Sequence, residues 1–301
     1  MNPYIKSHSL SLSDGNNWRI TCDEQNIRML DELAVIMNLK ECSLDDLPRL
    51  IFSKMEKDKE LACDAIFSMQ NLPDYNTGWK CYDFSSQTIR MWIHPSIGDV
   101  ICEVDSKGRE SLKYMNMRYS VLPIYNRSIN HAGMSFHAGL AEINGHGVLF
   151  AASGGTGKST CCRRLPDYWK SLCDDEALVV LNSKKEYLAH PFPTWSEFLL
   201  NNHKTWDVQY SVPLSAIFFL QQADNDEVIP LSVGQASALI TESASQVCID
   251  SRPFLKSREE LIEFRKRLFN NAFDLAMSIP AFYLRVSLNG SFWKEIEKVI
   301  T

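Results

Sequence analysis

The 301 residues, 45% apolar and 23% charged, can build one large domain or two modest ones, each with a proper core. A formal net charge of −6 argues against a nucleic-acid binder, whose affinity rests on clustered cations. The opening "MNPYIKSHSLSLSDGNNW" lacks the basic-then-apolar pattern of a signal peptide, and the densest apolar run, "LSAIFFL" at 214–220, is far too short to span a bilayer.

No nucleic-acid or membrane partner is therefore expected. The nine cysteines are odd in number, scattered and without a CxxC pair. They favour neither a zinc site nor a disulfide framework, so buried, inert thiols in a reducing cytoplasm are expected.

In chain order, Ile27, Leu30, Leu33, Ala34 and Met37 recur at helical spacing and predict a helix over 23–39, followed by a more broken helical region to about 69. "NLPDYNTG" (71–78) is dense in turn formers. Short strands are expected at 79–84, 88–94 and 100–104, then a helix over 109–127 with Leu112, Met115 and Tyr119 on one side. From Ser135 onward "SFHAGLAEI" and "HGVLFAA" are two apolar runs joined by Asn144-Gly145, a strong hairpin signal.

The second run leads into a glycine-rich loop. A short helix should begin at Lys158 and stop before Pro166, with a strand over 171–182 beyond it. Ser257 and Glu260 have capping-box spacing and open a helix to about Met277; "AFYLRVSL" reads as a strand and "SFWKEIEKVI" as a closing helix. The organisation expected is an N-terminal α+β region at 1–128 and an α/β nucleotide-binding domain at 129–301.

The loop reads Ala152-Ser153-Gly154-Gly155-Thr156-Gly157-Lys158-Ser159-Thr160. This is the P-loop pattern G-x-x-x-x-G-K-[ST], with alanine in the first position. Its glycines let the backbone approach a phosphate, and successive N–H groups, continued into the following helix, would cradle the anion. Residues Ser153 to Thr160 are thus the expected ATP contacts, with Lys158 on the β/γ-phosphates and Ser159 on Mg²⁺.

Fifteen residues after Ser159 come Asp174 and Asp175, inside the apolar run "LCDDEALVV". Neighbours in a strand point to opposite faces, so one carboxylate can meet metal while the other is presented elsewhere. Transfer of a phosphoryl group to a hydroxyl needs charge-neutralising Mg²⁺ and a group that accepts the hydroxyl proton, and two acids beside the loop would supply both. A solvated acidic turn is the plainer alternative.

Rival nucleotide proteins lack their own marks. "NSKK" (182–185) has no aspartate to read guanine, and "DSKG" (105–108) precedes the loop instead of following it. "LSVGQ" (231–235) is not followed by an apolar strand ending in Asp-Glu, and there is no arginine-rich lid.

Taken in order, "FHAGL", "NGHGVLFAASGGTGKST" and "LCDDE" resemble the catalytic core of HPr kinase/phosphorylase. "GGTGKSTCCRRLP", "LCDDE" and "HPFPTWSEF" are more closely similar to the SynChlorMet cassette proteins, over most of the chain. The resemblance implies a mixed-sheet P-loop fold of the HPr kinase/phosphoenolpyruvate carboxykinase type. It also implies an ATP- and Mg²⁺-dependent kinase acting on a serine-like hydroxyl of a peptide or protein, in the cytoplasm, with homo-oligomers known among the relatives.

By that resemblance Asp174 is the catalytic base, Asp175 the Mg²⁺ ligand, and His137 assists near the transferred phosphoryl. Phosphorylase activity and HPr itself as acceptor are not expected to carry over, since the loop opens with alanine and "LCDDE" replaces the usual acidic strand.

Other polar residues invite weaker expectations. Arg252 in "DSRPF" is a candidate arginine finger. His190 and Trp195 are candidates for a substrate wall, or for a proline-rich loop packed by aromatics. His146 lies at the hairpin turn, and Arg163 and Arg164 are expected in surface ion pairs. Two other functions stay open at this point: a nucleotide-responsive protein that binds and presents a peptide without turnover, and a small-metabolite kinase.

Overall fold

The computed structural model describes residues 6–43, 46–55, 72–73, 78–84, 88–105, 110–199, 204–248, 254–255 and 257–300; Arg252 lies outside the described residues. The chain divides into two compact units, one of Met1–Ser11, Asn16–Ile124 and Trp195–Thr205, the other of Leu12–Gly15, Tyr125–Thr194 and Trp206–Thr301. Each is a mixed α/β structure.

In the first unit β1 (Ser7–Ser11) and β2 (Asn17–Cys22) precede helix α1 (Ile27–Ile36). Asp23 starts the helical segment: its carboxylate accepts from the Gln25 and Asn26 N–H groups at 3.1 and 3.0 Å. Helix α1 then buries Leu30, Leu33 and Ala34. Strands β3 (Lys40–Glu41), β4 (Arg49–Lys54), β5 (Lys80–Phe84), β6 (Ile89–Ile93) and β7 (Val100–Val104) complete a sheet of order β3-β1-β2-β4-β7-β6-β5. The β2–β4 and β4–β7 pairs are parallel and the others antiparallel.

Part of the broken helical region expected after residue 39 is therefore strand. Leu50, Ile51 and Phe52 are all buried, and a short run apolar on both faces has no period to tell strand from helix. The helix expected over 109–127 is two, α2 (Glu110–Ser120) and α3 (Leu122–Asn130). Pro123 has no N–H to give and its ring opposes the carbonyl four residues back, so the first helix ends before it.

The second unit opens with the expected hairpin, β8 (Met134–Ile143) and β9 (His146–Ala151), closed by Asn144 and Gly145 at φ of 50° and 81°. After the glycine-rich loop come α4 (Lys158–Arg164), β10 (Lys170–Cys173), β11 (Glu176–Leu181) and β12 (Tyr187–Phe192); α5 (Trp195–Leu199) belongs to the first unit. Strands β13 (Val212–Gln222) and β14 (Glu227–Pro230), helices α6 (Val233–Cys248) and α7 (Arg258–Ser278), β15 (Ala281–Val286) and α8 (Trp293–Glu297) complete it.

The sheet order is β10-β8-β11-β12-β13-β15-β14, with β9 paired to both β8 and β13; β9, β13 and β15 run parallel. Side-chain alternation separates its two faces. Phe150, Phe218 and Leu284 pack with Cys161 and Cys162 of α4 and with Phe292 and Ile296 in one core. Ala151, Phe219 and Tyr283 line a cavity shared with α6.

Helix α4 lies close on β8 because Gly139 leaves room: a Cβ there would stand 2.5 Å from the Cys162 sulfur. The capping box opening α7 is complete, with Ser257 Oγ accepting from the Glu260 N–H and Glu260 returning a carboxylate to the Ser257 N–H. Among the described residues no helix is long and apolar enough to cross a membrane. The described cysteines are free thiols, and burial raises Cys161 and Cys248 to about 11.

Candidate functional site

The loop from Ala152 to Gly157 leaves the end of β9 and enters α4. Gly155 and Gly157 have φ of 78° and 114°, a region where a side chain is strained. A Cβ at Gly154, Gly155 or Gly157 would meet nothing within 4 Å, so Gly155 and Gly157 are required by backbone conformation and the space over the loop is open. Ser153, Gly154, Gly155 and Thr160 are exposed, and Thr156, Gly157 and Ser159 are half-buried.

Lys158 is only 6% exposed. Among the described residues its ammonium has one hydrogen-bond partner, the Ala152 carbonyl at 3.0 Å, although it carries three donors. Burial lowers its pKa, while the negative charges of Asp175 and Asp174 act in the opposite direction.

The acids stand in a break in the sheet, which corrects the expectation of a continuous strand over 171–182. Strand β10 ends at Cys173 after a register shift against β8, and β11 resumes at Glu176. The two carboxylates leave the break toward different partners. Asp174 Oδ1 accepts from the Thr194 hydroxyl at 2.7 Å, and its second oxygen has no partner among the described residues.

Asp175 Oδ1 lies 3.0 Å from His137 Nε2. On the other side of the ring, Nδ1 lies 2.5 Å from Gln246 Oε1 of α6. Both neighbours are oxygen acceptors, so with these contacts the ring donates from both nitrogens. Its pKa is accordingly raised, above all by the bond to Asp175, against opposing desolvation. Ser243, on the same helix, fixes the strand beneath by accepting the His137 backbone N–H at 3.1 Å.

The structure thus gathers Lys158, Asp174, Asp175 and His137 around the glycine-rich loop. Other candidates stand elsewhere. His190 is fully buried and is no substrate wall. Its Nε2 accepts the Ser13 N–H at 3.2 Å and its Nδ1–H donates to the Val208 carbonyl at 2.9 Å, which fixes a neutral ring. Trp195 is buried at 4% exposure. His146 bonds the Ser215 hydroxyl on the surface. Arg164 makes backbone bonds in place of the expected ion pair, at 2.9 Å to the Ser287 carbonyl and 2.6 Å to that of Gly290, with its guanidinium over the Phe292 ring.

Thr194 and Gln246 were missed by sequence reasoning, although each orients a member of the site. Helix α6 did leave a signal. Ser232 and Gln235 have capping-box spacing, and the two side chains exchange bonds with each other's N–H at 3.1 and 3.4 Å.

The donor set fits a nucleotide polyphosphate: an open loop of positive-φ glycines, a buried ammonium short of partners, and the half-buried Ser159 hydroxyl, which has no partner among the described residues. A search of curated proteins finds no match to the chain. The family profile described as "SynChlorMet cassette protein ScmC" matches residues 100–301, and on that match the chain belongs to the SynChlorMet cassette protein ScmC family.

Proposed function

We propose that the chain is an ATP- and Mg²⁺-dependent kinase that phosphorylates a serine-like hydroxyl on a peptide or protein, built on a P-loop core of the HPr kinase/phosphoenolpyruvate carboxykinase type. The observation that carries this reading is Lys158, buried with a single carbonyl partner among the described residues, at the end of an open glycine loop and within the field of Asp174 and Asp175. A buried cation so sparsely bonded costs stability unless a ligand completes its shell.

In this reading Ser153 to Thr160 wrap the phosphates and Lys158 leaves Ala152 to bond the β/γ-oxygens. Ser159 and Asp175 would hold Mg²⁺, whose chemistry would be to neutralise charge on the transferring group. A magnesium site of that kind needs only one or two protein carboxylates. It therefore agrees with the lack of any three clustered His, Cys, Asp or Glu side chains among the described residues.

Asp174 is the base. Thr194 fixes one of its oxygens and leaves the other to accept a proton. The acceptor oxygen bonds the γ-phosphorus as the bond from that phosphorus to the bridging oxygen breaks; ADP departs and the hydroxyl proton passes to Asp174. His137 braces Asp175 from behind, and Gln246 braces His137.

The test is incubation with γ-labelled ATP and a panel of hydroxyl-bearing peptides. Label should pass to one hydroxyl; free phosphate alone, across the panel, overturns the proposal. Lys158→Ala should weaken ATP binding and abolish transfer together. Asp175→Asn should raise the Mg²⁺ concentration needed for half-maximal rate, because an amide oxygen is a poorer ligand for this hard cation.

A further inference from the structure

A cavity of about 210 Å³ opens beside the loop, where β9 ends at Ala151 and β13 nears its end at Gln221, with α6 as its far wall. Ligands of open α/β sheets bind outside the carboxyl ends of the strands. The volume lies below the roughly 300–1,000 Å³ of pockets that engulf a drug-sized ligand, so it suits a side chain or a small group, not a whole nucleotide.

Its walls say which group. Phe219, Leu239 and Tyr283 give it apolar sides, and among the described residues the only charged one lining it is Glu242. Among the described residues no cation lines it, so its walls offer an anionic group no charge to pair with. Glu242 is exposed and makes no hydrogen bond or ion pair among the described residues. It stands one turn before Gln246 on the same face of α6, and both border the cavity.

Two other lining residues tie the cavity to the site. Gln246 bonds His137, which bonds Asp175, and the Ala152 carbonyl holds Lys158. A group seated in the cavity therefore lies against elements that position the loop lysine and the acids.

Resting on the kinase reading, we infer that this cavity receives the phosphoryl acceptor, and that Glu242 selects an acceptor hydroxyl flanked by a cationic group such as a lysine side chain or free amine. The carboxylate attracts such a neighbour and repels an acidic one, and its exposure keeps the effect to that of a solvated pair.

The experiment uses the full chain and three synthetic peptides that differ only in the residue after a single serine: lysine, glutamine or glutamate. Transfer from labelled ATP is measured as kcat/KM, and binding of fluorescein-labelled peptides is measured separately by anisotropy without ATP. The unsubstituted chain should favour the lysine over the glutamate peptide by about two- to fivefold in both readouts, the range of an exposed ion pair. Glu242→Gln should level the series and Glu242→Lys should invert it.

Equal use of the three peptides, or a preference that Glu242→Lys leaves unchanged, overturns the inference while the kinase reading stands. Charge-ordered binding with no transfer overturns the kinase reading and upholds the cavity as a peptide site. If adenosine binding responds to Glu242→Lys and peptide binding does not, the cavity holds the nucleobase and the inference is wrong.

Discussion

Charge is buried in both units, but it is satisfied very differently. In the first unit Glu103 is fully buried and one of its oxygens accepts from Arg90 and from the Trp92 indole, each at 3.0 Å; Arg90 in turn bonds Asp83 at 3.1 Å. In the second, among the described residues, Lys158 rests on one carbonyl, and Asp174 holds one hydroxyl with its other oxygen unbonded. The first arrangement draws its charged partners from within the fold, Glu103 against Arg90 and Arg90 against Asp83. The second, among the described residues, leaves bonding capacity that another molecule can use. Buried charge reads as scaffold where its partners are built in and as machinery where they are missing.

Substitutions should separate the two. The largest effect is expected at the open site: Asp174→Asn keeps the shape but takes no proton, so transfer should fall on the order of 10²–10⁴-fold with the thermal midpoint little changed. In the first unit the order reverses. Glu103→Ala leaves Arg90 with a lost partner in a buried setting and should destabilise the first unit by about 3–5 kcal/mol, read by urea unfolding, while molecules that stay folded keep their activity. An unfolding curve unmoved by Glu103→Ala would remove the distinction.

Packing at the site's base gives a smaller effect. Gly139→Ala would set a methyl 2.5 Å from the Cys162 sulfur and should cost about 1–3 kcal/mol by pushing α4 outward. Adding Cys162→Ala should recover part of that loss, so the double variant is more stable than the sum of the singles. Strict additivity would show that the close contact does not limit the packing.

The smallest effect is a pH slope. Burial lowers the His190 pKa below its ordinary 6.5. The unfolded chain therefore binds the extra proton first, and the neutral ring's stabilisation, fully present above 6.5, is lost as pH falls through that value. Stability should drop by at most about 1.4 kcal/mol per pH unit there, and His190→Gln should flatten the slope. Identical slopes for the two proteins would contradict the neutral assignment.

What the sequence made legible follows from how local each signal was. The β8–β9 hairpin was readable because Asn144-Gly145 is a turn signal between two apolar runs, and the loop because its glycines and lysine have fixed spacing. The α7 cap was equally local. The break at Asp174-Asp175 was hidden, since "LCDDEALVV" is apolar on both sides and only pairing with β8 shows the register shift.

Gln246 was beyond reach for another reason: its partner His137 lies 109 residues away, and no pattern within α6 marks it. The residues of α6 are mostly small or hydroxylated, so the helix has only a weak apolar period. His190 stayed open between two readings because a histidine among prolines and aromatics looks alike whether it lines a pocket or is buried as a hydrogen-bonding core residue.

One measurement reaches the central claim directly. ATP binding by calorimetry and transfer from γ-labelled ATP to a hydroxyl peptide are followed side by side in the unsubstituted protein and in Asp174→Asn. Charge held in reserve for phosphoryl transfer predicts dissociation constants that agree within about twofold, with transfer at least about a hundredfold slower in the variant. If Asp174→Asn transfers at the original rate, or if the unsubstituted protein binds ATP and phosphorylates nothing, the acids in the β10–β11 break are not transfer machinery and the account is wrong.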